Sequence, residues 1–226
     1  MSRSDDIATV LGDPPQVHDG APRGIWSTDR SCYQFIADSC PATAATLETG
    51  LGSSTALFAR WSTAHTCVVH SADEVERFCE YAAERDLEIS HIAFEVGSSD
   101  LVLPRLDVPP VDVAFIDGGH GFPLPILDWF YAARLLRPGG VVVIDDIQLP
   151  SVSDYLVRFL QRDPRWTHAG GDSTKWIAFR KGSDVQLPEE WLQQPFLGGP
   201  RPAPFRLRWR QELRRFASRI KHAVRR

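Results

Sequence analysis

Cysteine is scarce in this 226-residue chain, and the four present, Cys32, Cys40, Cys67 and Cys79, form no C-x-x-C pair and have no histidine at zinc-ligand spacing. That excludes a disulfide framework or a zinc knuckle as the source of stability. The thiols are expected to be buried, in a reducing compartment. Long apolar runs are missing as well: those present, such as Val141 to Ile144, fall far short of the roughly 20 residues that span a bilayer. Met1 to Pro15 contains Asp5, Asp6 and Asp13 but no apolar stretch, so no secretory signal is expected and the default location is cytoplasmic.

What is present suits one soluble globular domain. With 43% hydrophobic and 24% charged residues, the chain is neither a disordered polyelectrolyte nor a fibre. At this length roughly 70% of the unfolded surface can be buried, so no staple is required. The net charge of −4 conceals a split: residues 201–226 carry +9 and residues 1–200 carry −13. An acidic body thus bears a basic tail, and each needs its own explanation.

Residues 1–24 are polar and rich in Pro and Gly, and read as a flexible lead-in without an element of its own, order starting near Ile25. From Ala44 short apolar runs alternate with helical patterns: Ala44–Glu48, Thr55–Trp61, Thr66–His70, Asp73–Arg85, Ile89–Glu95, Val111–Asp117, Pro125–Leu136 and Gly140–Asp145. This alternation predicts parallel strands with crossover helices, a doubly wound α/β sheet. The strands Val111–Ile116 and Val141–Ile144 are almost wholly apolar, as strands covered on both faces must be. A helix over Ser151–Gln161, capped by Ser151 or Ser153, precedes a hairpin of Trp166–Ala169 and Lys175–Arg180. The domain is therefore placed at 25–181, followed by a Pro/Gly-rich linker at 182–204 and a basic amphipathic helix at 205–226.

Chemistry concentrates at three strand ends. Glu48-Thr49-Gly50-Leu51-Gly52-Ser53-Ser54-Thr55 sits where the first strand turns into its helix, a position that puts ligands over the carboxyl ends of the sheet. Gly50 and Gly52 permit a tight turn, and Ser53, Ser54 or Thr55 can cap the helix. Thr55 stands where a dinucleotide fingerprint needs its third glycine, and Glu48 would repel a pyrophosphate. Either Glu48 meets a cationic ligand or it caps a turn. Further on, Asp117-Gly118-Gly119-His120 and Asp145-Asp146 end two strands that, if adjacent, lie roughly 4.8 Å apart. Three carboxylates in one crevice repel one another unless a proton or cation intervenes. Oxygen donors of this kind suit Mg²⁺ or another divalent cation. His120 is open to three roles: metal ligand, general base, or orienter of its loop.

These motifs, with Leu135-Leu136-Arg137-Pro138-Gly139-Gly140 and Val143-Ile144-Asp145-Asp146, resemble a class I S-adenosylmethionine-dependent methyltransferase. The resemblance covers about Ile25 to Lys181 and is strongest to small bacterial metal-dependent O-methyltransferases of the catechol, macrolide-sugar and cephalosporin-biosynthesis type. It implies a Rossmann-like seven-stranded sheet, mostly parallel with an antiparallel last strand. It further implies that Glu48, Gly50 and Gly52 line the methionine part of the cofactor and that Ser98 and Ser99 lie near the adenine, with Ser53, Ser54 and His70 also among the cofactor-binding residues. Asp117, Asp145 and Asp146 would hold the metal, Asp117 also approaching the sulfonium, with His120 and Asp145 acting in catalysis.

One departure is His70, which stands where the family ends its second strand with a ribose-binding acid; Asp73 is the nearest carboxylate able to reach back. Two rivals follow, a catalytically silent cofactor-binding protein and an NAD-dependent Rossmann dehydrogenase. The acceptor is expected to be a small-molecule hydroxyl, on a sugar, a phenol or a secondary metabolite. Trp209, Leu213, Phe216, Ile220 and Val224 recur at helical spacing in the tail. That stripe suits packing on the body or in a homodimer, or a peripheral contact with an anionic membrane at its inner face; nucleic acid is disfavoured.

Overall fold

A computed structural model describes residues 2–20, 27–171 and 174–182. Beyond Gly182, the expected linker and basic helix lie outside the described residues. So does any partner surface on them.

Chain order gives helices α1 (Arg3–Gly12) and α2 (Arg30–Ser39), then β1 (Ala44–Thr49), α3 (Ser53–Trp61), β2 (Ser62–Val69), α4 (Ala72–Ala83), β3 (Ile92–Val96), the short α5 (Ser99–Val102), β4 (Val111–Ile116), α6 (Leu124–Leu135), β5 (Leu136–Ile144), β6 (Trp166–Gly170) and β7 (Ile177–Lys181). The strands make one seven-stranded sheet in the order β3-β2-β1-β4-β5-β7-β6. Every pair from β3 to β5 is parallel, while β7 runs antiparallel to both β5 and β6. The chain winds outward from β1 in one direction and from β4 in the other. The order therefore reverses between β1 and β4, where such sheets bind their ligands.

Alternation along the central strands builds the core. Val113, Phe115, Val141 and Val143 pack on one face of the sheet, and Ala114, Ile116, Val142 and Ile144 on the other. Both faces are covered, which is why these strands lack the polar alternation of a half-exposed sheet.

The amino-terminal segment departs from expectation, because residues 3–12 form helix α1 rather than a loose lead-in. The Ser2 hydroxyl accepts from the Asp5 amide and the Asp5 carboxylate accepts from the Ser2 amide at 3.0 Å, a capping box. Ile7 and Val10 are buried in the core, and Trp61 Nε1 donates to Asp6 Oδ2 at 3.1 Å, joining α1 to α3. The Pro and Gly that suggested a loop all lie beyond Leu11.

Residues 150–160 are helical, but Ser153–Val157 is a π turn between two short α segments. Neither Ser151 nor Ser153 caps it; the Ser153 hydroxyl instead donates back to Leu149 O at 3.1 Å. Cys32, Cys40 and Cys67 are buried as expected, whereas Cys79 is only partly so. Among the described residues no helix is long and apolar enough to cross a membrane.

Candidate active site

Register brings the three motifs together. Thr49 lies opposite Ile116, and Ile116 opposite Ile144, so Gly50, Asp117 and Asp145 emerge side by side at one edge of the sheet. Gly50 has φ +97°, and a Cβ there would collide with the Asp117 carbonyl. Only glycine allows the first strand's turn to approach the fourth strand's end so closely. Its amide donates to Val68 O at 2.9 Å, and Cys67 Sγ donates to its carbonyl at 3.2 Å.

Glu48 does not line the cleft. Its side chain is fully buried, with Oε1 accepting from the Thr55 hydroxyl and lying 3.0 Å from His65 Nε2; His65 Nδ1 in turn meets Thr46 Oγ1 at 2.8 Å. The expected contact with the cofactor's methionine part is therefore corrected. Because strand residues alternate, Glu48 shares its face with Thr46 and points under α3. Thr55 links this buried pair to the turn, since its Oγ1 also accepts from the Gly52 amide at 3.0 Å. A threonine at the third position of the glycine pattern thus braces the turn from beneath.

At the ends of β4 and β5 the acids have separate surroundings. Asp145 is 1% exposed; its Oδ1 accepts from the Thr28 hydroxyl at 2.7 Å, and Oδ2 lies 3.1 Å from Lys175 Nζ. Asp146 takes a left-handed backbone, φ +54°, a conformation rare outside glycine but tolerated by aspartate. This swings its side chain into the cleft. There Oδ1 accepts from Lys175 Nζ and from Gln148 Nε2 at 2.7 Å, and Oδ2 lies 2.8 Å from His120 Nε2. The grouping of cleft donors is Asp117, His120 and Asp146, all within 4.8 Å of one another, and not the expected Asp117, Asp145 and Asp146.

Burial pushes the Asp117 carboxyl well up from its ordinary range, and the charges of Asp145 and Asp146 add to this. Burial also raises Asp145. Burial acts the same way on Asp146, yet the hydrogen bonds from Lys175 and Gln148, with the charge of His120, bring it below the usual value. Burial opposes the Lys175 charge, but Asp146 and Asp145 outweigh it and push the ammonium up to about 12. Lys175 thus favours the charged form of all three acids, and only at Asp146 do it and the other partners outweigh burial.

A cleft of about 550 Å³ is lined by Gly50, Gly52, Ser53, Ser54, Asp117, His120 and Asp146, together with Tyr33, Gln148 and Lys175. A second hollow of about 210 Å³ shares Gly50 and Asp117 and adds His70, Ser98 and Ser99. Neither hollow has Glu48 or Asp145 in its wall. Nor does Asp73 reach the second hollow; Glu74, one residue further along α4, lines it and holds His18 Nδ1 at 3.0 Å. Lys175, Thr28 and Glu74 are the residues that sequence reasoning missed. A signal for Lys175 existed, because a strand antiparallel to β5 must begin where β5 ends. The pairing of Ile144 with Ile177 sets the residues before Ile177 beside Asp145 and Asp146.

Comparison with known proteins agrees with this architecture. A family model described as a methyltransferase domain matches residues 47–147, the stretch that holds the glycine turn, Asp117 and Asp145-Asp146. No curated protein matches the sequence. Among solved structures, the O-methyltransferase TomG of Streptomyces achromogenes, involved in tomaymycin synthesis and solved with S-adenosylmethionine, superposes with TM-score 0.59 at 18% identity over 79% of this chain and 90% of its own. A putative caffeoyl-CoA O-methyltransferase of Staphylococcus aureus gives 0.60 at 18% over 78% and 92%. The Bacillus cereus O-methyltransferase, solved with S-adenosylhomocysteine, gives 0.55 at 16% over 80% and 91%. At such identities the likeness establishes the fold, and the family match adds the domain. Strand order, the turn forced by Gly50 and the family match agree: residues 47–147 match a methyltransferase domain, and the fold is similar to that of the small bacterial O-methyltransferases.

Proposed function

We propose that this protein binds S-adenosylmethionine across the two hollows and transfers its methyl group to a hydroxyl of a small molecule held in the larger one. The observation that carries the reading is the His120–Asp146 pair, 2.8 Å apart, set beside Asp117 and the Gly50 turn in a single cleft. The methionine part lies along Gly50 to Ser54, its sulfonium facing Asp117. The ribose meets His70 and Glu74, which stand in for the acid missing at the end of β2. The adenine lies near Ser98 and Ser99.

Methyl transfer is an in-line displacement, so catalysis is mainly alignment of the acceptor oxygen with the methyl carbon. The oxygen's electron pair forms the new bond to carbon, the carbon–sulfur bond breaks, and its electron pair returns to sulfur, leaving S-adenosylhomocysteine. The hydroxyl proton goes to His120. An ionised Asp146 can only accept, so Nε2 carries the hydrogen that it receives. Nδ1 is then the ring nitrogen with a lone pair for the proton.

The divalent cation expected beside these acids does not fit the donor set as it stands. Both oxygens of Asp146 are engaged, by Lys175 with Gln148 and by His120, and Asp145 is turned toward Thr28 and Lys175. No step of the reaction is routed through a metal.

Calorimetry with S-adenosylhomocysteine and with NAD tests the reading. Binding of the first alone supports it. Binding of NAD alone would restore the dehydrogenase, and S-adenosylhomocysteine binding without methyl transfer to any hydroxylated acceptor would leave a silent binding protein.

A further inference from the structure

We infer that the ammonium of Lys175 is the resident cation of this cleft, standing between Asp145 and Asp146 where a divalent ion would otherwise sit, so that the reaction proposed above needs no metal. The inference rests on that reading of the site but is drawn from separate contacts.

Placement comes first. Lys175 is fixed by its backbone, because its carbonyl accepts from the Ile147 amide at 3.0 Å, and the antiparallel pairing of β7 with β5 continues to Ile144 and Ile177. The side chain has little choice of direction. Its Nζ donates to Asp146 Oδ1 and lies 3.1 Å from Asp145 Oδ2, so one ammonium spans two successive carboxylates.

Donor chemistry comes second. Mg²⁺ demands near-octahedral oxygen ligands at about 2.0–2.1 Å. Here Asp145 is buried on Thr28 and Lys175, Asp146 has neither oxygen free, and a nitrogen cation already stands within bonding distance of both. A divalent ion would have to expel the lysine while remaining close to its charge.

Charge balance comes third. Asp145 and Asp146 are faced by Lys175, and Asp146 also by His120. In the proposed complex the sulfonium faces Asp117. Three acids then meet the two positive charges of Lys175 and the sulfonium, which leaves at most one negative charge beside His120, less than an ion of charge +2 would neutralise.

Lys175 accordingly acts as a positioning residue. It holds Asp146, which holds His120, and it lines the cleft beside them.

The experiment is a Mn²⁺ titration of the full chain after chelator treatment, followed by electron paramagnetic resonance, with S-adenosylhomocysteine calorimetry on the same preparation. The unmodified protein is expected to bind Mn²⁺ no more tightly than about 1 mM, the weak end of biological divalent sites, and chelator is expected to leave kcat unchanged. Lys175→Ala, shown folded by its thermal unfolding, should bind Mn²⁺ at least tenfold more tightly, whereas Lys175→Arg, which keeps the charge, should not. Binding by the unmodified protein tighter than that limit and abolished in Asp146→Asn would overturn the inference. So would a folded Lys175→Ala with no gain in Mn²⁺ affinity. Failure to bind S-adenosylhomocysteine would overturn the functional reading itself, a different result from S-adenosylhomocysteine binding accompanied by tight Mn²⁺.

Discussion

His120 Nε2 lies 2.8 Å from Asp146 Oδ2, a contact that leaves Nδ1 as the other nitrogen of the ring. An imidazole tied to a carboxylate through one nitrogen presents the other as a base. Replacing His120 by Ala should lower kcat by about 10²–10⁴-fold while the affinity for S-adenosylhomocysteine stays unchanged. Steady-state kinetics paired with calorimetry checks it, and an equal fall in both quantities would remove the base role.

The buried contact of Glu48 with His65 makes Glu48 a structural residue. Glu48→Ala should cost about 1.5–3 kcal/mol, the usual contribution of hydrogen bonds to a charged group, read from urea denaturation. Glu48→Gln still accepts from Thr55 and His65 and should bind S-adenosylhomocysteine as the unmodified protein does. Lost affinity at full stability would return Glu48 to the cofactor site.

Glu74 carries a prediction about the ribose. A hydrogen bond to a charged group contributes about 1.5–3 kcal/mol, so Glu74→Gln should weaken S-adenosylhomocysteine binding about 10- to 100-fold. Asp73→Asn should not. A 2′-deoxy analogue separates a ribose contact from a mere loss of the bond to His18. The unmodified protein should discriminate against it, and Glu74→Gln should not.

Asp128, fully buried on α6, gives a pH dependence of stability. Burial raises its carboxyl from the ordinary 3.8 to about 6, with the Ser99 and Thr49 hydroxyls holding it back. The folded state then binds the proton more tightly than the unfolded state does. The group's cost is absent below pH 3.8, grows as pH rises to about 6, and persists above. Asp128→Asn should therefore stabilise the protein at pH 7 by up to about 3 kcal/mol and flatten the stability profile between those limits. Denaturation midpoints across pH 4–8 measure it, and a destabilised variant at pH 7 would contradict it.

Much of the sheet was legible in the sequence because buried parallel strands are nearly pure Val, Ile, Ala and Phe and their connections are long. The glycine turn, Asp117 and His120 could be read for the same reason, as they close those runs. What could not be read was direction. Glu48 and Asp145 sit one residue from cleft-facing neighbours, yet both point into the protein, and only pairing and backbone angles decide this. Thr28 comes from a distant segment, and Lys175 is a single basic residue before an apolar strand. The helix over Arg3–Gly12 was legible in principle from Ser2, Asp5, Ile7 and Val10, but nearby Pro and Gly residues masked it.

The placement of β7 between β5 and β6 also sets an order of assembly. During synthesis the amino-terminal strands are available first, and β1 to β5 with their acids can associate before the last hairpin has left the ribosome. Until β7 inserts, Asp145 and Asp146 face each other without Lys175. Electrostatic relief by that lysine therefore rewards the docking of the last hairpin on β5, and the step that completes the sheet also completes the charge pattern of the cleft.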